Sequence, residues 1–161
     1  MRQGGFSLVE LVVIIGIIGI LIAIGTLDYG NWSRKYNAEA QMKTMYADFA
    51  SAKLDALHSK RQYQITLGSS QYVIRNYSSA FDATGTVTQT KTLKTPVTWS
   101  HDNIITFDTR GFTPLSSART VCLASSGATI VDCVIVSQTR IDLGQKINPG
   151  GECASANCRP R

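Results

Sequence analysis

Glu10 is the single ionisable residue in the run FSLVELVVIIGIIGILIAI, which covers the 19 residues from Phe6 to Ile24. A carboxylate set among apolar side chains has little water to solvate it, so its charged form needs a cation brought alongside. In a low-dielectric setting the attraction within such a pair is large, while each charge alone bears its own desolvation. An acid in that position is a functional site by default. The remaining reactive side chains lie at the other end of the chain. Cys122, Cys133, Cys153 and Cys158 have none of the C-x-x-C spacing of a zinc or redox centre, and disulfides in an oxidising compartment are the simpler reading. The two histidines are His58, near a helix end, and His101, next to Asp102 in a turn. No G-x-S-x-G elbow, H-E-x-x-H pair or P-loop accompanies them, so neither an enzyme nor a cofactor or metal site is expected.

The elements that must position these groups follow from length and hydropathy. A chain of 161 residues allows one small folded domain. As a helix, the apolar run nearly crosses a hydrocarbon core of about 30 Å, which makes it a transmembrane candidate. Arg2 in the leader MRQGG favours a cytoplasmic N-terminus and sends the rest of the chain outward, an orientation that suits the cysteines. A cleaved secretory signal fits poorly, because the apolar stretch is too long, starts almost at once and has no A-x-A-like site after it. A plain anchor fits the length and leaves Glu10 unexplained.

Gly4-Gly5-Phe6-Ser7-Leu8-Val9-Glu10, followed by the unbroken apolar run, resembles the signal of type IV prepilins and type II secretion pseudopilins. The resemblance implies cleavage by prepilin peptidase between Gly5 and Phe6 and N-methylation of Phe6 by the same enzyme. It also implies that the Glu10 carboxylate neutralises the N-terminal amine of a neighbouring subunit in the filament. The implied partners are other major and minor pilins or pseudopilins, the peptidase and an inner-membrane assembly platform.

Past the apolar run, Gly25 and Gly30 each weaken a helix by about 1 kcal/mol, which predicts a bend or a melted stretch there. Tyr29, Trp32 and Tyr36 suit a membrane interface. Met42, Met45, Tyr46, Phe49, Lys53 and Ala56 follow steps of three and four, an amphipathic helix with one buried face that only Lys53 interrupts. A continuous helix from Phe6 to about Leu57 would be on the order of 78 Å long, far beyond the diameter of a small domain. Four segments result: a leader at 1–5, a transmembrane or filament-core helix at 6–25, an amphipathic half-helix at 26–57 and a head at 58–161.

The head is rich in Thr, Ser, Val and Ile. Gln62 to Leu67, Gln71 to Tyr77, Thr86 to Leu93, Ile104 to Phe107, Val121 to Ala124 and Ile130 to Ser137 read as short strands separated by turn residues. The expected class is α+β, a long N-terminal helix packed on an antiparallel sheet. A two-residue turn at Gly127-Ala128 would set Cys122 opposite Cys133, within disulfide reach, and leave Cys153 and Cys158 to close a small loop. Four cysteines allow three connectivities, and spacing alone does not choose among them.

Ile105-Thr106-Phe107-Asp108-Thr109-Arg110-Gly111 and the later apolar hairpin are similar to the GspH/FimT class of minor pilins and pseudopilins. Some members of that class bind DNA through a C-terminal Gly-Arg-x-Arg-like element, and Gln138-Thr139-Arg140-Ile141-Asp142 departs from it by lacking the glycine and adding an acid. The first 57 residues are electrically balanced, so the whole net charge of +5 belongs to the remainder. Arg140, Lys146, Arg159 and Arg161 form a candidate phosphate-contacting patch, although no aromatic residue follows Phe112 to stack on bases. The expected role is a structural minor pilin or pseudopilin, single-pass in the inner membrane with a periplasmic head, assembling into a pilus or pseudopilus at or near its tip and in initiation. A DNA-binding minor pilin active in transformation is the alternative.

Overall fold

The computed structural model describes residues 7–79, 82–114, 118–124 and 129–161, with the backbone alone of Ile24 and of residues 26–28. Helix α1, Leu8–Ser59, is followed by β1 Gln62–Leu67, β2 Gln71–Tyr77, β3 Thr86–Thr92, β4 Val97–Trp99, β5 Ile104–Phe107, β6 Arg119–Leu123, β7 Cys133–Val136, β8 Ile141–Lys146, a 3₁₀ turn Ser155–Asn157 and β9 Cys158–Pro160. This is the expected long helix and antiparallel β-rich head. The chain forms two compact units, Met1–Arg34 and Lys35–Arg161.

In the first unit the apolar side chains are exposed all round α1, from Leu8 at 78% to Ile14 at 42%. Among the described residues no helix is long and apolar enough to cross a membrane. The two ends of the run, Phe6 and the Ile24 side chain, lie outside the described residues. The melted stretch expected at Gly25 and Gly30 does not occur, since the helix runs through both. A cost of about 1 kcal/mol per glycine is insufficient to open a helix already nucleated on both sides.

In the second unit Ala38, Met42, Met45, Phe49, Ala52 and Ala56 are all buried, in steps of four, three, four, three and four. Ala52 supplies the contact that Lys53 could not, and Lys53 sits half-buried at the edge of the stripe. The helix ends where Lys60 takes a left-handed φ of 54°, which directs the chain into β1.

The helix stripe packs on two antiparallel sheets, one in the order β3-β2-β1-β5 and the other β4-β6-β7-β8-β9. Strand alternation explains the contacts. Tyr63, Ile65 and Leu67 of β1 and Tyr72 and Ile74 of β2 point inward, as do Ile105 and Phe107 of β5. Val121, Leu123, Val134 and Val136 join the same core from the second sheet. Phe49 and Tyr72 meet edge to face with ring centroids 5.8 Å apart, and the Tyr72 hydroxyl donates to the Asp48 carboxylate at 2.5 Å. Desolvation, then the hydrogen bond to Asp48 and its negative charge, push the Tyr72 phenol far above its ordinary range. Gln41 fastens the loop before β4 from the helix side, accepting from Thr95 N–H at 2.9 Å and donating to Thr95 C=O at 2.7 Å.

Candidate functional site

Glu10 lies in the first turn of α1, where a negative charge meets the positive end of the helix dipole. Its side chain is exposed, as are those of Leu8, Val9, Leu11, Val12 and Val13 around it. Gly5 and Phe6 lie outside the described residues.

In the head, the C-terminal tail crosses one face of the second sheet and is bonded to it twice. Cys122 is indeed opposite Cys133 in the β6–β7 register. The two are not joined to each other, however. Cys122 is bonded to Cys153, with Cα atoms 5.7 Å apart, and Cys133 to Cys158, with Cα atoms 6.3 Å apart. The pairing inferred from the hairpin therefore gives way to a crossed one. Opposed residues present both sulfurs on one face, and the tail that covers this face supplies a partner to each. Cys122, Cys133, Ile135 and Cys158 form a small buried cluster there.

Gly144 makes the second bridge passable. It sits in β8 between Cys133 of β7 and Pro160 of β9, and a Cβ on it would lie 2.6 Å from the Cys158 sulfur and 2.8 Å from the Arg159 carbonyl oxygen. Asn157 clasps the tail: its amide donates to Asn148 C=O at 3.1 Å and Glu152 C=O at 3.0 Å, and its oxygen accepts from Asn148 N–H at 2.9 Å. Sequence reasoning overlooked both residues. The only signal for Gly144 was a lone glycine between Leu143 and Gln145, and a glycine inside a strand often marks a close approach of backbone.

The four basic candidates divide. Lys146 is buried, with its ammonium donating to Leu123 C=O at 3.0 Å and its backbone N–H to the Asp132 carboxylate at 2.6 Å. It is thus withdrawn from the patch, because it occupies an inward position of β8 rather than a solvated tail. Arg140 is paired with Asp142 at 3.1 Å and remains 75% exposed. Arg159 is opposite Gln145 in the β8–β9 register. Arg161 donates to the Gln145 side chain at 2.6 Å and, through its backbone N–H, to Leu143 C=O at 3.0 Å. Arg159 and Arg161 therefore lie on the β9 side of β8, and Arg140 lies in the β7–β8 turn.

The Phe107-to-Gly111 turn is organised by one carboxylate. Asp108 Oδ1 accepts from Arg110 N–H at 2.9 Å and Phe112 N–H at 2.8 Å, while Oδ2 accepts from the Arg110 guanidinium at 2.9 and 3.1 Å. Gly111 takes φ 75°, and a Cβ on it would stand 3.2 Å from Lys53 C=O on α1. Lys53 in turn donates to Thr139 C=O, tying the β7–β8 turn to the helix. Partial burial pushes the Asp108 carboxyl upward, but the Phe112 and Arg110 N–H groups and the Arg110 charge prevail and hold it below the usual carboxylate range. Its contribution to stability is therefore present above the unfolded-state pKa of about 3.9 and is lost as pH falls through the lower folded value. Asp108→Ala is expected to cost about 1 kcal/mol at neutral pH, and to remove that share of the acid-dependence, in melts followed from pH 7 to pH 2.

Among the described residues no group of three His, Cys, Asp or Glu side chains is placed to hold a metal ion. What the geometry offers is an exposed apolar helix with one acid and a head whose tail is clamped by two cystines.

Residues 1–26 match the prokaryotic N-terminal methylation motif. The fold is similar to that of the type IV minor pilin FimU of Pseudomonas aeruginosa strain PAO1, with a TM-score of 0.57 at 15% identity over 77% of this chain and 97% of that one. No curated protein matches the chain. The motif match concerns the first 26 residues, and the likeness to FimU is one of fold.

Proposed function

We propose that this chain, a minor pilin or pseudopilin by its N-terminal motif and its head, is a structural subunit that polymerises through its N-terminal helix. The observation that carries the reading is the combination of Gly5-Phe6 and Glu10 with an apolar helix surface that its own fold leaves exposed. Prepilin peptidase removes residues 1–5 and methylates Phe6. Residues 6–25 then hold the subunit in the inner membrane, since the full run in the sequence extends from Phe6 to Ile24, and later form the filament core. Residues 26–57 carry the head, 58–161, in the periplasm, a setting in keeping with its two cystines. Assembly with other pilins on the inner-membrane platform places it in a type IV pilus or a type II secretion pseudopilus, at or near the tip and in initiation. The FimU-like head favours a minor over a major subunit.

Processing is tested by the intact mass of the exported protein. The expected value is that of a chain starting at Phe6 and carrying one extra methyl group; a retained Met1 overturns the reading. A deletion strain scored for twitching, transformation and secretion separates the two machines.

The nucleic-acid reading rests on Arg140, Arg159 and Arg161, without Lys146. If phosphates are bound there, a gel shift with the full chain in detergent weakens at raised salt and is lost in the Arg140→Ala, Arg159→Ala, Arg161→Ala triple variant. Indifference to both changes rejects it.

A further inference from the structure

The two cystines interleave along the chain, the first cysteine joined to the third and the second to the fourth. Yet the strand register sets Cys122 directly opposite Cys133. The neighbouring opposed residues, Leu123 and Asp132, are joined by a ladder hydrogen bond of 2.9 Å from Leu123 N–H to Asp132 C=O. Bonded and non-bonded pairs alternate along an antiparallel ladder, so Cys122 and Cys133 form a non-bonded pair, whose Cα atoms lie roughly 4.5 Å apart with side chains closest. Disulfides accept Cα separations of about 4.4–6.8 Å. The β6–β7 hairpin therefore accommodates a bridge that the folded head does not use.

That unused bridge is also the easier one to close. Cys122 and Cys133 are 11 residues apart in the chain, whereas the bridges of the folded head join residues separated by 31 and 25. Closure probability falls as about the three-halves power of loop length, which favours the hairpin bridge over Cys122–Cys153 by about fivefold before any strand order is counted. In the folded head the Cys133–Cys158 bridge joins β7 to β9 across Gly144 of β8.

We propose that this chain is a substrate of a thiol–disulfide isomerase, a dithiol catalyst that converts an early Cys122–Cys133 bridge into the interleaved pair. From Cys122–Cys133 and Cys153–Cys158, a catalyst thiolate attacks the Cys133 sulfur, forms a mixed disulfide with it and releases the Cys122 thiolate. Cys122 attacks the Cys153 sulfur, forming Cys122–Cys153 and releasing Cys158. Cys158 then attacks the Cys133 sulfur of the mixed disulfide, completing Cys133–Cys158 and returning the catalyst thiolate. Two disulfides enter and two leave, with no net oxidation. The inference stands on pairing and register alone and is independent of the filament reading.

The test uses the full chain in detergent micelles, reduced and unfolded, then reoxidised with diamide, which contains no thiol, and mapped by peptide mass after acid quenching. Cys122–Cys133 is expected to be the principal early bridge and to persist; a catalytic amount of dithiothreitol then raises the interleaved fraction about fivefold or more. Interleaved pairing from the first time point in diamide, or a Cys122–Cys133 bridge that dithiothreitol leaves in place, overturns the proposal. The Cys153→Ser, Cys158→Ser double variant gives an independent check. It is expected to form Cys122–Cys133 in full, and recovery of both thiols free would equally overturn it.

Discussion

Gly144→Val is expected to lower the melting temperature of the head by about 10 °C or more and to release one pair of titratable thiols. The clash is with atoms that cannot yield cheaply. Even a bare Cβ would lie 2.6 Å from the Cys158 sulfur, and 2.8 and 3.2 Å from the carbonyl oxygen and carbon of Arg159. Two of these belong to the backbone of β9. Either β9 lifts away or the Cys133–Cys158 bridge fails to close, and each route undoes the same piece of structure. A bridge spanning 25 residues contributes about 3.5 kcal/mol in the chain-entropy account, and overpacking adds about 1–3 kcal/mol. Against a total stability of about 5–15 kcal/mol, that is a large share. Gly150→Ala is the control, since a Cβ there meets nothing within 4 Å although it lies in the same tail. Thermal melts and thiol titration of both variants in detergent decide the matter; a Gly144→Val protein that melts like the unsubstituted one, with all cysteines paired, defeats the argument.

The tail also shows where the sequence was legible and where it was not. Strands β1, β2 and β5 appear at their expected boundaries because each alternates inward and outward side chains and ends at turn residues. The helix stripe was visible through its spacing alone. The three strands that sequence reasoning passed over have other causes. β4 and β9 are three residues each, too short to show a period. β8, Ile-Asp-Leu-Gly-Gln-Lys, buries a glycine and a lysine where a strand pattern calls for apolar residues. Both exceptions answer to contacts distant in the chain: Gly144 to the cystine that passes over it, and Lys146 to the carbonyl of Leu123. The cysteine pairing failed for a related reason. Register is a local property and came out as expected at Cys122 and Cys133, whereas the bridges depend on a tail whose path, set by Asn157 and the Gly150-Gly151 turn, leaves no periodic trace. Conversely, the candidate assembly residues were legible without any fold, because an acid in an apolar run is conspicuous by composition.

Glu10→Ala is expected to reduce incorporation into filaments by about two to three and a half orders of magnitude while leaving the head's melting temperature unchanged. The separation of effects follows from position: Glu10 belongs to the unit Met1–Arg34, and the core that stabilises the head belongs to Lys35–Arg161. In the free subunit the Glu10 side chain is exposed, so removing it creates no cavity and strands no partner within the fold. In a bundle of apolar helices the balance reverses. The new amine at Phe6 and the Glu10 carboxylate of a neighbour would both be out of water, and deleting one member of a buried pair costs about 3–5 kcal/mol because the other charge is left uncompensated. Each 1.4 kcal/mol is a factor of ten in an equilibrium, which gives the stated loss. Glu10→Gln separates charge from shape: it keeps the length and the hydrogen-bonding oxygen, so a defect close to that of Glu10→Ala assigns the effect to the carboxylate's charge, and near-normal incorporation assigns it to packing. The comparison is read by quantifying the subunit in sheared filaments against its total cellular amount. Incorporation of Glu10→Ala at the level of the unsubstituted chain would remove the pairing role and, with it, the reason for an acid in this run.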